Sequence, residues 1–323
     1  MTAGIHRLPL PTPFLVGRVN CYLIEDDPLT LVDTGPNSGK TLDELEQGLA
    51  ALGHTIEELE LVIITHQHID HLGLLEVITR RSGAEVAALA LLAPYLAQWR
   101  DSATADDEYA GMIMRRHGVP DDLARALGGV GAAFRAFGSP GVVTRPLDPG
   151  TELQLRDHHF EVLHRPGHSP SDTLFWDPER RLLLGGDHLL PHISSNPLVS
   201  RSLDGSPSDE CGALIGYIDS MRATRELPAA LVLPGHGEPI ADHVALIDER
   251  LRMHERRARK ILRLLGGEPR TAFDLAGEMW GNIAVTQAFL TLSEVLGHLG
   301  MLLRDGLVTA ERDGEIVRFG VRA

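Results

Sequence analysis

The stretch LELVIITHQHIDHLG, Leu59 to Gly73, runs through four consecutive apolar residues, Leu61 to Ile64, directly into three histidines and an aspartate within the six residues His66 to His71. A short apolar run bounded by polar residues reads as a strand buried on both faces. Side chains leaving the end of a strand alternate in direction, so His66 and His68 can converge on one ion while Asp70 and His71 turn toward a neighbouring one. Imidazole and carboxylate are the ligands that suit zinc, iron or manganese.

Four further polar residues stand in turns after predicted strands: Asp33 in LVDTG, His168 in RPGHSPSD, Asp187 in LLLGGD and His236 in LVLPGHG. Each motif contains glycine, which permits tight turns and close backbone approach to a ligand. One such residue alone reads as a turn residue, whereas five motifs in this order read as a metal cleft at the ends of several strands. Two look-alikes are set aside. GPNSGKT, Gly35 to Thr41, has three residues rather than four between its glycines and so misses the phosphate-binding loop spacing. RMHERRARK, Arg252 to Lys260, reads as the solvated face of a long helix.

Around these motifs the chain alternates strands and helices. PFLVGRVNCYLIE and LTLVDTG flank the turn DDP as a hairpin, and Asn37 or Ser38 is placed to cap a helix through TLDELEQGLAALG. LGLLEVITRRSG is predicted helical and AEVAAL a strand. Residues from about 91 to 140 read as a helical insertion, and TELQL, HFEVLHR, TLFWD, RLLLGGD and LVLPG as later strands. A long amphipathic helix from Asp242 to Leu265 precedes TAFDLAGEMW, whose Thr271 and Asp274 form a capping pattern. Helical spacing of Val285, Phe289, Leu292, Leu296, Leu299 and Leu303, then a hairpin around Asp313 and Gly314, gives the order of a winged helix. We therefore expect a catalytic domain over residues 1–245 and a C-terminal helical, winged helix-like domain over 246–323.

Composition narrows the function classes. The 323 residues are 43% hydrophobic, enough for a large core, and the formal charge of −15 weighs against nucleic-acid or anionic-membrane partners. Neither a secretory leader nor a long apolar span is evident, which predicts a cytoplasmic protein. Cys21 and Cys211 have no pairing or metal-site spacing and are expected to be structural thiols.

Through LVDTG, THQHIDHLG, PGHSPSD, GGDHLL and PGHG, the chain resembles the metallo-β-lactamase fold superfamily over Asp33 to Gly237. The resemblance implies an α/β fold, an αβ/βα sandwich with two divalent metal ions, zinc first with iron and manganese as alternatives, at one edge. It places His66, His68 and His168 on the first metal, Asp70, His71 and His236 on the second, Asp187 bridging both, and Asp33 behind them orienting the histidine loop. The true β-lactamases put Cys or Ser where Asp187 stands, so this form resembles the glyoxalase II-like thioester hydrolases and the branch with a winged helix-like tail. The reaction this implies is hydrolysis of a small thioester or ester by a metal-bridging hydroxide, with Asp70 and Asp187 as the catalytic carboxylates. Acyl thioesterase, lactonase and RNA phosphodiesterase or endoribonuclease are the competing activities, and a DNA-binding regulator is the non-enzymatic alternative. His192, Asn196 and Arg201 in the loop after Asp187 are candidate contacts for a small-molecule substrate. Tyr109, Met112, Met114, Arg115, Arg116 and Phe134 of the insertion are candidates for an acyl pocket. The C-terminal domain is expected to pack on the catalytic domain or to form a homodimer contact.

Overall fold

The computed structural model describes residues 4–322. Its first sheet runs in chain order through β1 (Ile5–Leu10), β2 (Val19–Ile24), β3 (Thr30–Val32), β4 (Leu61–Ile64), β5 (Glu85–Leu89) and β6 (Arg145–Leu147). The second orders β11 (Leu231–Pro234), β10 (Leu182–Gly186), β9 (Thr173–Asp177), β8 (His159–His164) and β7 (Glu152–Gln154). β3 to β6 pair in parallel because helices return the chain between them. Among these are α1 (Gly39–Ala51), with Ser38 accepting from the Thr41 amide as its cap, α2 (Ile69–Leu72) and α3 (Leu75–Ser82).

The alternation within each strand sorts the core into layers. Val62 and Ile64 of β4 pack with Leu45, Leu49, Leu75 and Ile78 under the helices, while Leu61 and Ile63 face Phe160, Phe175 and Leu184 of the other sheet. The second sheet does the same in mirror image. Its Leu174, Trp176, Leu183 and Val232 pack against α7 (Ala213–Arg225) through Leu214, Tyr217 and Met221. Two sheets face to face with helices outside give the α/β sandwich expected from the motifs, and each fully buried leucine contributes about 2 kcal/mol.

The helical insertion contains α4 (Ala93–Ala97), α5 (Trp99–Arg116) and α6 (Asp121–Phe134), followed by a short turn of helix over Arg135–Phe137. Its front half, through Leu92, Leu96 and Trp99, joins the core of the first sheet. Its rear half does something composition did not reveal: Ile113, Met114, Val119 and Ala124 share one core with Leu275, Leu292, Leu296 and Leu299 of the C-terminal region. That region comprises α8 (His243–Leu264), α9 (Ala272–Trp280), α10 (Ile283–Thr286), α11 (Ala288–Arg304) and the hairpin of β12 (Val308–Asp313) and β13 (Ile316–Val321). The capping box at Thr271 and Asp274 forms as its spacing predicts. The boundary expected near residue 245 lies in the first turn of α8, a continuous helix whose Ile247 serves the sandwich and whose Ala258 and Ile261 serve the C-terminal core.

Neither β1 nor β6 is predicted as a strand from sequence, because β1 is an edge strand whose adjacent half-buried His6 and Arg7 interrupt the alternation and β6 contains proline. The apolar stripe from Val285 to Leu303 is two helices, broken at Gln287 with φ −126°. The insertion's Tyr109, Met112 and Met114 face the shared core rather than an open acyl pocket, and Arg116 is paired with Glu210. Both cysteines are free, Cys21 buried and Cys211 half-buried, and among the described residues no helix is long and apolar enough to cross a membrane.

Candidate metal centre

At the edge of the sandwich the ends of β3, β4, β9's preceding loop, β10 and β11 meet, and the seven residues expected as ligands meet with them. His66 Nε2 lies 3.0 Å from His68 Nδ1, which lies 2.8 Å from His168 Nε2. His236 Nε2 stands 3.3 Å from Asp70 Oδ2 and 3.5 Å from Asp187 Oδ2. Asp187 also reaches His71 Nε2 at 3.4 Å and His168 Nε2 at 3.6 Å, so it spans both groups of histidines. Three overlapping triads have ligand spacing: His66, His68 and His168; His66, His71 and Asp187; Asp70, His71 and His236.

The outer partners fix which nitrogen faces inward. His71 Nδ1 donates to Asp33 Oδ2 at 2.7 Å, His168 Nδ1 to the Asn196 carbonyl at 3.0 Å, and His236 Nδ1 to the Arg18 carbonyl at 2.8 Å. Thr65 Oγ1 gives its proton to Asp33 Oδ2 at 2.8 Å and accepts from His66 Nδ1 at 3.0 Å. Each of these four imidazoles therefore turns its Nε2 lone pair toward the centre. His71 Nε2, His236 Nε2 and Asp187 Oδ1 are buried there without a hydrogen-bond partner. Orphaned acceptors facing one another are costly unless a cation lies between them, so the residues fit divalent metal ions.

The electrostatics agree. Burial holds the His68 imidazole down at about 3, with His168 adding to the effect, and burial together with His71 and His68 holds His66 far below its ordinary range. Burial opposes the charge on Asp187, but the neighbouring His236 and His71 outweigh it and keep that carboxyl well below its usual value. Burial opposes charge on His71 and His236 too, but the carboxylates around them, Asp187 first, outweigh it and draw His71 well above and His236 above its ordinary value, a pull toward positive charge at Nε2 that a bound cation satisfies in place of a proton.

Asp33 occupies the orienting position the motif implies, and its geometry is unusual. It sits at φ +58°, a conformation non-glycine residues seldom adopt, while Oδ1 accepts from the Thr65 amide at 2.9 Å. Gly235 has no alternative residue, since a Cβ there would run into Asp187 Oδ1 and His71 Cε1. The motif reading missed Thr65, Asn20 and the Arg18 carbonyl. Asn20 had a readable signal: it is an amide inside the apolar strand VNCYLI, and buried amides need partners. It finds them in the Pro234 carbonyl at 2.9 Å and the Gly237 carbonyl at 2.8 Å, tying β2 to the His236 turn.

The three candidate substrate contacts divide. His192 is exposed against Gly237, beside His236. Asn196 supports His168 through its carbonyl and donates its side-chain amide to the Leu290 carbonyl of α11 at 2.9 Å. Arg201 is engaged elsewhere, donating to Asp106 Oδ1 at 2.9 Å beside a surface cavity of about 290 Å³.

The profile of the metallo-beta-lactamase superfamily matches residues 15–236. The chain is 32% identical over 318 residues, 98% of each chain, to the probable metallo-hydrolase YqjP of Bacillus subtilis (strain 168). It is 23% identical over 184 residues, 55% of this chain and 69% of the relative, to the hydroxyacylglutathione hydrolase GloC of Haemophilus influenzae. Among solved structures, a metallo-beta-lactamase family protein from Thermus thermophilus superposes with a TM-score of 0.83 at 27% identity, covering 99% of both chains. With the sandwich, the five motifs and the profile in agreement, the chain belongs to the metallo-beta-lactamase superfamily.

Proposed function

We propose that the protein is a dinuclear metal-dependent hydrolase of a small thioester or ester. The observation that carries this reading is the convergence of seven ligands, all buried except the half-buried His68, whose inward lone pairs include three orphaned acceptors. His66, His68 and His168 would hold one ion, Asp70, His71 and His236 the other, and Asp187 would contact both. Ions bound there would polarise a carbonyl and acidify a water for attack.

The chain's own residues supply the rest. Asp33 and Thr65 lock the histidine loop, so the ligands need no reorganisation on substrate arrival. Asp70, beside His236, is the carboxylate we assign to orient the attacking water and carry its proton toward the departing thiolate or alkoxide. Asp187 takes the place where the β-lactamases of the superfamily carry Cys or Ser, and similarity to a hydroxyacylglutathione hydrolase, whose named substrate is a thioester, supports that bond type. The order of α9 to α11 and the β12–β13 hairpin fits a winged helix-like unit. Its apolar face is spent on the insertion, and the formal charge of −15 disfavours a phosphate-rich ligand, which supports a packing role for it.

Metal analysis of the purified protein should give two equivalents of zinc, iron or manganese per chain, and the loaded protein should hydrolyse acyl-glutathione or acyl-CoA thioesters. A protein that binds no metal on reconstitution, or that cleaves bis-nitrophenyl phosphate or RNA in preference to every thioester, ester and lactone offered, would overturn the reading.

A further inference from the structure

The metal centre is polar, yet the two elements that flank it carry apolar side chains held out into solvent. On the His236 side, the imidazole rests on the carbonyl of Arg18, and the loop leading to that residue is closed on itself by Thr12 Oγ1 donating to the Gly17 carbonyl at 2.6 Å and the Gly17 amide to the Phe14 carbonyl at 3.2 Å. This closed loop presents Leu15 at 91% exposure, the highest of any large apolar side chain among the described residues. Beside it, Phe14 meets Phe134 and Phe137 of the insertion, with ring centroids 5.4 and 6.4 Å apart. Phe137 is fixed to the metal loop in turn, since its carbonyl accepts the Asn37 amide at 2.7 Å and lies against Gly73, two residues beyond His71. Val130, one turn before Phe134 on the same face of α6, is 52% exposed.

On the His168 side the arrangement repeats. His168 rests on the Asn196 carbonyl, Asn196 holds the Leu290 carbonyl, and Leu290 and Ile193 are each 40% exposed. Scattered apolar residues on a surface mean little, but here the backbone segments that carry them are linked to His236 and His168 through the Arg18 and Asn196 carbonyls. A polar reacting centre between two apolar walls is complementary to an amphipathic substrate, with a reactive carbonyl at the centre and a hydrocarbon chain along a wall.

We propose that these walls bind the acyl chain of the substrate, so that the enzyme selects thioesters or esters of medium- to long-chain acids over acetyl and other short acyl groups. This rests on the hydrolase reading given above and adds the substrate's chemical class. Each further methylene laid against a wall raises kcat/KM by about two- to fourfold until the wall ends.

The test is an acyl-CoA series from acetyl to dodecanoyl with the metal-loaded full-length protein, together with calorimetric binding of the matching S-alkyl-CoA thioethers, which cannot be hydrolysed. Rising kcat/KM and tighter thioether binding with chain length, both flattened in Leu15→Ser and Leu290→Ser, are the expected results. Acetyl turned over as well as dodecanoyl, with thioether affinity independent of length, overturns the chain-binding proposal while leaving the hydrolase reading intact. Absence of turnover on every acyl-CoA, acyl-glutathione and ester offered removes the hydrolase reading, and the thioether series then still decides whether the walls bind a chain. If the two variants leave length dependence unchanged and instead shift a monomer–dimer equilibrium, the walls belong to an interface between copies and the proposal falls.

Discussion

Among the described residues two groups of buried histidines have ligand spacing, and one of the two is arranged to take cations. In the cleft, the imidazoles of His66, His71, His168 and His236 direct their N–H groups outward and their lone pairs inward. Among the described residues, Asp70 and Asp187 pair with histidines alone. Between α8 and α11, His254, Glu294 and His298 also have ligand spacing. There His298 Nδ1 donates to the Glu294 carbonyl at 2.6 Å, which leaves its Nε2 to accept from His254 Nδ1 at 3.2 Å, and the Glu294 carboxylate is already paired with Arg257. The first cluster holds two carboxylates with no arginine or lysine partner among the described residues and three orphaned buried atoms, while the second has paired its one carboxylate with Arg257 and leaves His254 Nε2 alone without a partner. Residue type and proximity are thus common to the two, and the direction of the outer hydrogen bonds separates them.

Asp187→Asn should break the first cluster most severely, because it removes the one carboxylate shared by both groups of histidines. We expect bound metal to fall by at least one equivalent and kcat/KM by about a thousandfold or more. Elemental analysis and steady-state kinetics on one preparation check both. Asp33→Asn is the next largest. The amide keeps an acceptor for the Thr65 backbone but sets an N–H against His71 Nδ1, which displaces the ring's proton to Nε2 and removes the lone pair that faces inward. A loss of about 10- to 100-fold in metal affinity follows, measured by competition with a chelator.

The second cluster should respond to acid rather than to chelators. Burial, then His298, Arg257 and Arg250, hold His254 down at about 3, and Glu294 and the Tyr217 ring complete its surroundings. A histidine whose folded value lies below its unfolded one lends stability that is complete above the unfolded value, about 6.5, and is lost as pH falls toward the folded value. Urea unfolding of the wild type should therefore lose about 2 kcal/mol more between pH 7 and pH 5 than His254→Gln, which retains an N–H donor but cannot titrate. Bound metal should be equal in the two proteins. A metal deficit in His254→Gln would show that the contrast between the clusters is false.

The sequence disclosed the first cluster because strand ends convert spacing into direction. After Ile64 the alternation continues into His66 and His68, Asp70 and His71 follow in α2, and a glycine-containing turn carries each of His168, Asp187 and His236. The second cluster was not legible, since His254 and His298 sit on separate helices whose stripes report burial without naming the neighbour. The shared core of α5, α6 and the C-terminal helices was hidden for the same reason: Met114 and Leu292 both read as buried, and nothing in their own segments pairs them. Asp33 illustrates the limit from the other side. Its position in LVDTG was readable, but its left-handed backbone was not, because that conformation is imposed by Thr65 and His71, which the chain brings from more than thirty residues away.

The smallest effect decides the role of Arg201. Loop position after Asp187 made it a candidate for orienting substrate, yet its guanidinium donates to Asp106 and to the Ser102 carbonyl of α5, and Tyr95 Oη holds the other Asp106 oxygen at 2.9 Å. The pair is about one-third exposed on both sides, so solvent screens it and its loss should cost less than about 1 kcal/mol. Arg201→Ala is accordingly expected to lower the urea midpoint slightly and to leave KM and kcat unchanged. A tenfold rise in KM at unaltered stability would instead return Arg201 to the substrate, because an ion pair serving only to fasten the loop to α5 has no means of changing affinity without also changing the stability of that attachment.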